Sequence, residues 1–255
     1  MKNNNAKKIG LAPGTIVYTG TKKDRKLFID VFDYNKESIN ELDLKNVEDA
    51  FSYEGDKTNT WININGLNHV EEIEKLGDHY KLHPLIIEDI ASTKQRPKVD
   101  EYDNYLFIVL KMLYFDKKQN LKIEHISFVL GKNYVLSFQE SEGDVFEAIR
   151  DRLRKNKGRV RNLGPDYLMY LLMDAIVDNY FSLIETLGEK IEDLEDKLFE
   201  DRADDHITSD IQSLKREILR IRRAVFPLRE VINKLEKKEN VHISDQTNNY
   251  LRDLY

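Results

Sequence analysis

Cysteine is absent from the 255-residue chain, which excludes disulfides, thiolate metal sites and cysteine nucleophiles. No Asn-x-Ser/Thr acceptor occurs, and the first residues, MKNNNAKKIG, lack the apolar stretch of a secretory signal. The longest uncharged apolar run, YLMYLLM at 167–173, stops at Asp174, well short of the roughly 20 residues a membrane span needs. Positive charge is not in excess: the formal net charge is −6, which argues against a general nucleic-acid binder and suits a protein that handles cations. The phosphate-binding glycine loops and the H-E-x-x-H zinc motif are missing, and the six histidines (69, 79, 83, 125, 206 and 242) show no metal-ligand spacing. These absences disfavour an enzyme and predict a soluble, cytosolic chain.

What is present suffices for a core, with 40% hydrophobic residues against 34% charged. The first half alternates short strands and helices. GTIVYTG (14–20), KLFIDVFDY (26–34) and TWINI (60–64) read as strands. NHVEEIEKLGDHY (68–80) puts Val70, Ile73, Leu76 and Gly77 on one helical face, with Asn68 available as a cap. Strands over 105–115, 123–130 and 134–139 are expected to form an antiparallel meander, the last two joined at GKN. The fold class expected is α+β: an N-terminal α/β domain (1–160) with a mixed, mostly antiparallel sheet flanked by helices, then a helical domain (161–255).

In the second half Ile207, Ile211, Leu214, Ile218, Ile221, Val225, Leu228, Ile232 and Leu235 alternate spacings of four and three. This sustained stripe predicts a long helix. Leu187, Ile191, Leu194 and Leu198 repeat the spacing before the polar stretch DRADDH, so an antiparallel hairpin over about 165–239 is expected, its stripes facing. Residues 185–205 hold ten acids and three bases, and 215–238 nine bases and three acids. Pairing of the two arms therefore accounts for the basic run KREILRIRR. Pro227 predicts a kink or break, and Ser244 caps a last helix running to Tyr255.

The residues that can carry chemistry are carboxylates. In KLHPLIIEDI (81–90), Pro84 suits a helix start, with His83 beside the cap. Glu88 and Asp89 then fall near the C-terminal end, where the helix dipole opposes negative charge. Asp174 interrupts an apolar stretch and shares a face with Asp178 four residues on, and Asp253 sits on the final helix. Hard cations such as Mg2+ take oxygen ligands, keep several waters and are often held by one or two carboxylates. A solvated acidic edge is the plainer reading, since acidic pairs recur along the chain.

Taken together, LAPGTIVYTG, TWININGL, HPLIIEDIASTKQRPKVDEYDNYLFIVLKM, DYLMYLLMDAIVDNYF, FPLREVI and YLRDLY resemble the cytoplasmic part of the CorA family of magnesium channels. The resemblance implies a homopentamer whose N-terminal domains and long helices form a cytoplasmic funnel. It implies Mg2+ or Co2+ uptake, with regulatory Mg2+ bound between neighbouring protomers to hold the channel closed. By motif, Asp89 would face Asp253 of the neighbour, and Glu88 and Asp174 would line an adjacent site. The family's two transmembrane helices and its Gly-Met-Asn signature have no counterpart in these residues, so the resemblance predicts a soluble domain on the cytoplasmic face of the membrane, with residues 244–255 starting a pore-leading stalk. Two other readings stay open: a divergent zinc-transporting relative, and a free-standing interaction protein using its helical hairpin.

Overall fold

In the first half most apolar extended segments become strands whose two faces meet different layers. In β1 (Phe28–Tyr34), Ile29 and Val31 bury on one side and Phe32 and Tyr34 on the other. The computed structural model describes residues 10, 12–21, 25–53, 55, 57–140, 143–199, 205–237 and 241–254. Six further strands follow: β2 (Ile39–Leu44), β3 (Asn59–Asn65), β4 (Lys98–Glu101), β5 (Leu106–Phe115), β6 (Leu121–Leu130) and β7 (Tyr134–Gln139). Their order is β2-β1-β3-β7-β6-β5-β4. All neighbours are antiparallel except β3 and β7, which run parallel with Trp61 opposite Val135. The expected meander is β5–β6–β7, and the α+β class holds.

The sheet separates two apolar clusters. One face carries a 3-10 helix (Val47–Tyr53), α1 (Val70–His79) and α2 (Pro84–Ala91). The other carries α3 (Glu147–Arg154), α4 (Pro165–Phe199), α5 (Asp205–Val225), α6 (Leu228–Leu235) and α7 (Asp245–Leu251). Ring stacking of Phe32 on Trp61, and the hydrogen bond from the Trp61 indole to Ser137 Oγ at 2.9 Å, lie beneath the second face.

Several expectations are corrected. Residues 15–19 are extended but join no sheet. Ile16 and Tyr18 pack on the first apolar cluster, and the Thr19 N–H donates to the Ala91 carbonyl at 3.2 Å. The sheet edges are taken by β2 and β4, two short, polar strands the sequence pattern did not reveal. Asn68 does not cap α1; its amide donates to the Arg25 carbonyl. Ser244 does cap α7, accepting the Thr247 N–H at 3.3 Å and donating to Asp166 at 2.6 Å, but the helix tightens to a 3-10 turn over Arg252–Leu254.

The apolar run that stops at Asp174 is the start of a longer helix, α4. It runs 35 residues, and by length and composition it is apolar enough to cross a membrane, contrary to the expectation that no segment reaches that length. The apolar residues resume after Asp174, and two acids do not break the pattern. Burial against the sheet accounts for much of this apolarity: 56% of its most apolar window is buried, and Tyr180 and Asn179 donate to the Lys111 and Leu113 carbonyls of β5.

The hairpin stripes meet only in part. Leu187, Ile207, Ile221, Leu228, Ile232 and Leu235 are buried, whereas Ile191, Leu198, Ile211 and Ile218 are exposed. The connecting stretch 201–204 lies outside the described residues. Charge pairing of the arms is not as expected either. Among the described residues the ion pair joining them is Lys190–Glu217 at 3.2 Å, a base on the acid-rich arm with an acid on the base-rich one. The expected break at Pro227 is present, separating α5 from α6.

Candidate metal centre

Pro84 opens α2 because its missing N–H falls where no helical partner exists. His83 is itself the cap, its Nδ1 accepting the Leu85 N–H at 3.2 Å. Ile86, Ile87 and Ile90 turn into the core, which leaves Glu88 and Asp89 on the outer part of the last turns. The dipole penalty there is offset by partners from this chain. Lys98 at the start of β4 donates to Asp89 Oδ2 at 2.6 Å and also to Asp100 at 2.5 Å, and Gln95 donates to Asp89 Oδ1. Glu88 Oε2 accepts the N–H of Gly14 at 3.0 Å. Gly14 has φ +85° and its Cα faces Pro84, so a side chain there would be both strained and crowded.

A second group forms on the opposite face of the sheet. Asp174 and Asp178 are one turn apart on α4, and Asp253 reaches their neighbourhood from the 3-10 turn after α7. Burial, then the Asp178 charge, raises the Asp174 carboxyl above its ordinary range. The Tyr170 hydroxyl and Arg152 pull it down, and Asp253 adds to the rise. Burial disfavours the charged form first, and the two neighbouring carboxylates add to it.

The four carboxylates named from the sequence therefore fall into two places: Glu88 and Asp89 on the α2 face, Asp174 and Asp253 on the α4 face. Among the described residues no three His, Asp or Glu side chains converge to hold a metal within one chain. The donors fit a hard cation, being all oxygen, but each group offers too few ligands for a cage, which leaves room for water or a second chain. Asp174, Asp178 and Asp253 suit a cation better than Asp89, whose charge Lys98 already meets. Lys98 and Gln95 were not legible as partners of Asp89, because both contacts depend on how the segment after α2 packs, whereas Tyr170 stands one helical turn before Asp174 and its contact follows from i,i+4 spacing.

Comparisons with known proteins bear on the family and the fold. The family profile described as CorA-like Mg2+ transporter protein matches residues 56–255. The chain is 42% identical to the cobalt/magnesium transport protein CorA of Thermotoga maritima over 100% of its own length and 72% of that protein's. It is 28% identical to the putative metal ion transporter YfjQ of Bacillus subtilis, covering 76% of this chain and 59% of the relative. Among solved structures, the soluble domain of CorA from Methanocaldococcus jannaschii superposes with a TM-score of 0.69 at 19% identity, covering 88% of this chain and 86% of that one. Full-length CmaX gives 0.73 at 17% identity, covering 92% and 71%, and at these identities the likeness concerns the fold alone. On the family match and the Thermotoga relative, the chain belongs to the CorA-like Mg2+ transporter protein family.

Proposed function

We propose that this chain is the cytoplasmic, Mg2+-sensing part of a homopentameric channel for Mg2+ or Co2+, with cations between subunits holding the channel closed. In this reading it is part of a transporter rather than an enzyme, and its place is the cytoplasmic face of the membrane. The observation that carries the reading is the separation of the carboxylates. Asp89 and Asp253 lie on opposite faces of one sheet, so they can share an ion only across two chains. Asp174 and Asp178 supply negative charge that a divalent cation would relieve, since the ion becomes the largest local charge.

Exposed apolar side chains support assembly. Phe181, Ile184, Ile191, Ile211 and Ile218 lie uncovered along α4 and α5, more than a solvated helix pair needs. An oxygen-only donor set of Glu88, Asp89, Asp174 and Asp253 favours Mg2+ over Zn2+, which prefers nitrogen and sulfur ligands. The lysine on Asp89 sets a condition: the cation must displace Lys98 or bind through water on the free lone pairs.

The test is native mass spectrometry and thermal melting of the purified chain at high concentration, with and without Mg2+. Mg2+ is expected to raise both the melting temperature and the assembled fraction, by mass action. Asp89→Asn and Asp253→Asn should each reduce that response, and the double substitution should do little more than either alone, because both serve one site. In the full-length channel the same changes should weaken closure by cytosolic Mg2+. A double variant that closes at the wild-type Mg2+ concentration overturns the proposal.

A further inference from the structure

The basic run on α5 has a destination that neither the hairpin nor the cation sites use. A cavity of about 540 Å3 opens between the segment linking α2 to β4 and the end of α5. Its volume falls within the range of small-molecule sites. Among the described residues six cations line it, Lys94, Arg96, Lys111, Arg220, Arg222 and Arg223, and no acidic residue does. Among the described residues the guanidinium groups of Arg96, Arg220, Arg222 and Arg223 make no ion pair or hydrogen bond. Arg222 instead lies over the Phe226 ring at 5.9 Å.

Helix-dipole complementation explains Arg222 and Arg223 in the last turn of α5, but it is a weak effect at a solvated helix end. It says nothing of Lys94, Arg96 and Lys111, which converge from two other elements. Lys111 is buried, its amine donating to the Thr93 carbonyl at 2.8 Å. Keeping so many like charges together in a chain of net charge −6 is costly unless an anion joins them. Apolar surface accompanies the charge: Ile123, Leu219 and Pro227 line the cavity beside Phe226, an aromatic ring exposed to 72%.

We propose that this cavity binds a phosphate-bearing small molecule with an aromatic body, of the nucleoside polyphosphate class. Guanidinium groups match phosphate oxygens through paired charge-assisted hydrogen bonds. The Phe226 ring and the Leu219 side chain offer a surface on which a base can stack. A concave cavity favours a small molecule over a nucleic-acid strand, whose backbone needs an extended basic groove. The proposal is independent of whether Asp89 holds a cation.

The test is calorimetric titration of the whole chain in metal-free buffer at physiological salt, using ATP, inorganic tripolyphosphate and adenosine as probes. One saturable ATP site is expected. Tripolyphosphate should bind more weakly than ATP, and adenosine more weakly still. Arg220→Gln with Arg223→Gln should weaken ATP by about tenfold or more, as loss of charge-assisted hydrogen bonds implies, and Phe226→Ala should weaken ATP but not tripolyphosphate. Lys157→Gln, an exposed cation elsewhere, should change nothing, and unaltered circular dichroism shows that the variants fold. Absence of saturation at millimolar ATP overturns the proposal, as does an equal effect of Lys157→Gln. Equal affinity for tripolyphosphate and ATP overturns the aromatic part, and equal affinity for adenosine and ATP overturns the anionic part.

Discussion

At the scale of single residues, the fold places charge where it costs. Lys111 is buried between the sheet and the Thr93 segment, with Glu140 and His125 beside it, and burial pushes its amine down to about 8 while Glu140 opposes the drop. Below that pH the amine is charged in both folded and unfolded chains, and its burial weighs against folding. As pH rises from about 8 to the ordinary lysine value the folded chain sheds the proton first, so stability rises across this window. Denaturant titrations at pH 7 and pH 10 should show the wild type gaining on Lys111→Met, by at most on the order of 2–3 kcal/mol. A parallel pH dependence for both proteins would remove that role. Asp174 has the opposite sign. Its carboxyl is raised in the fold, so the stability it contributes is present only at low pH and is lost as pH rises through the raised value. Asp174→Asn should therefore stabilise the chain in metal-free buffer at neutral pH, by less than about 1 kcal/mol because the group is half exposed, which thermal melting would read as a higher midpoint. The gain should vanish in strong acid.

At the scale of elements, the heptad stripe on α5 and α6 has two fates. Ile232 is 2% exposed and sits in the core with Leu228, Val231 and Leu235, whereas Ile218 is 41% exposed. Ile232→Ala should cost about 2–4 kcal/mol, the usual consequence of emptying a packed site. Ile218→Ala should stay within about 0.5 kcal/mol of wild type at dilutions where the chain is monomeric. Equal denaturant midpoints would mean that the stripe is uniformly buried or uniformly free. Periodicity marked both residues as apolar-face positions but not what covers them, since covering depends on a neighbouring element. The short edge strand KVDE (98–101) was illegible for a related reason: it pairs through its backbone with Leu106–Val109, and its side chains carry no alternation. By contrast, GTIVYTG has strand composition, but Ile16 and Tyr18 pack on the apolar cluster and the Thr19 N–H bonds the Ala91 carbonyl at the end of α2 instead of a strand.

For the whole molecule, one apolar cluster joins the sheet to the helices of the second half, from Trp61 and Phe128 through Leu168 and Leu172 to Leu251 and Leu254. Division near residue 160 is visible as a change of sequence period, and we propose it as a boundary between halves that melt together. Trp61, the single tryptophan, is fully buried and reports on the sheet. Its fluorescence and far-ultraviolet helicity should therefore fall in one coincident transition on denaturation. Two separated transitions would show that the helices unfold on their own.

Local chemistry determined the elements: Pro84 starting α2, Pro227 ending α5, Ser244 capping α7, and apolar runs bounded by turn residues making β5 to β7. It also determined the family resemblance, because the stretches carrying it are contiguous. Tertiary structure alone decided which charges meet. Asp89 found Lys98 nine residues away on another element, Asp174 found Asp253 across 79 positions, and the basic run on α5 turned away from the acidic arm toward Lys94, Arg96 and Lys111. Backbone preference and periodicity act within a turn or two of chain. Electrostatic partnership depends on distances set by how the sheet and its two helical layers pack, and a sequence does not contain those distances.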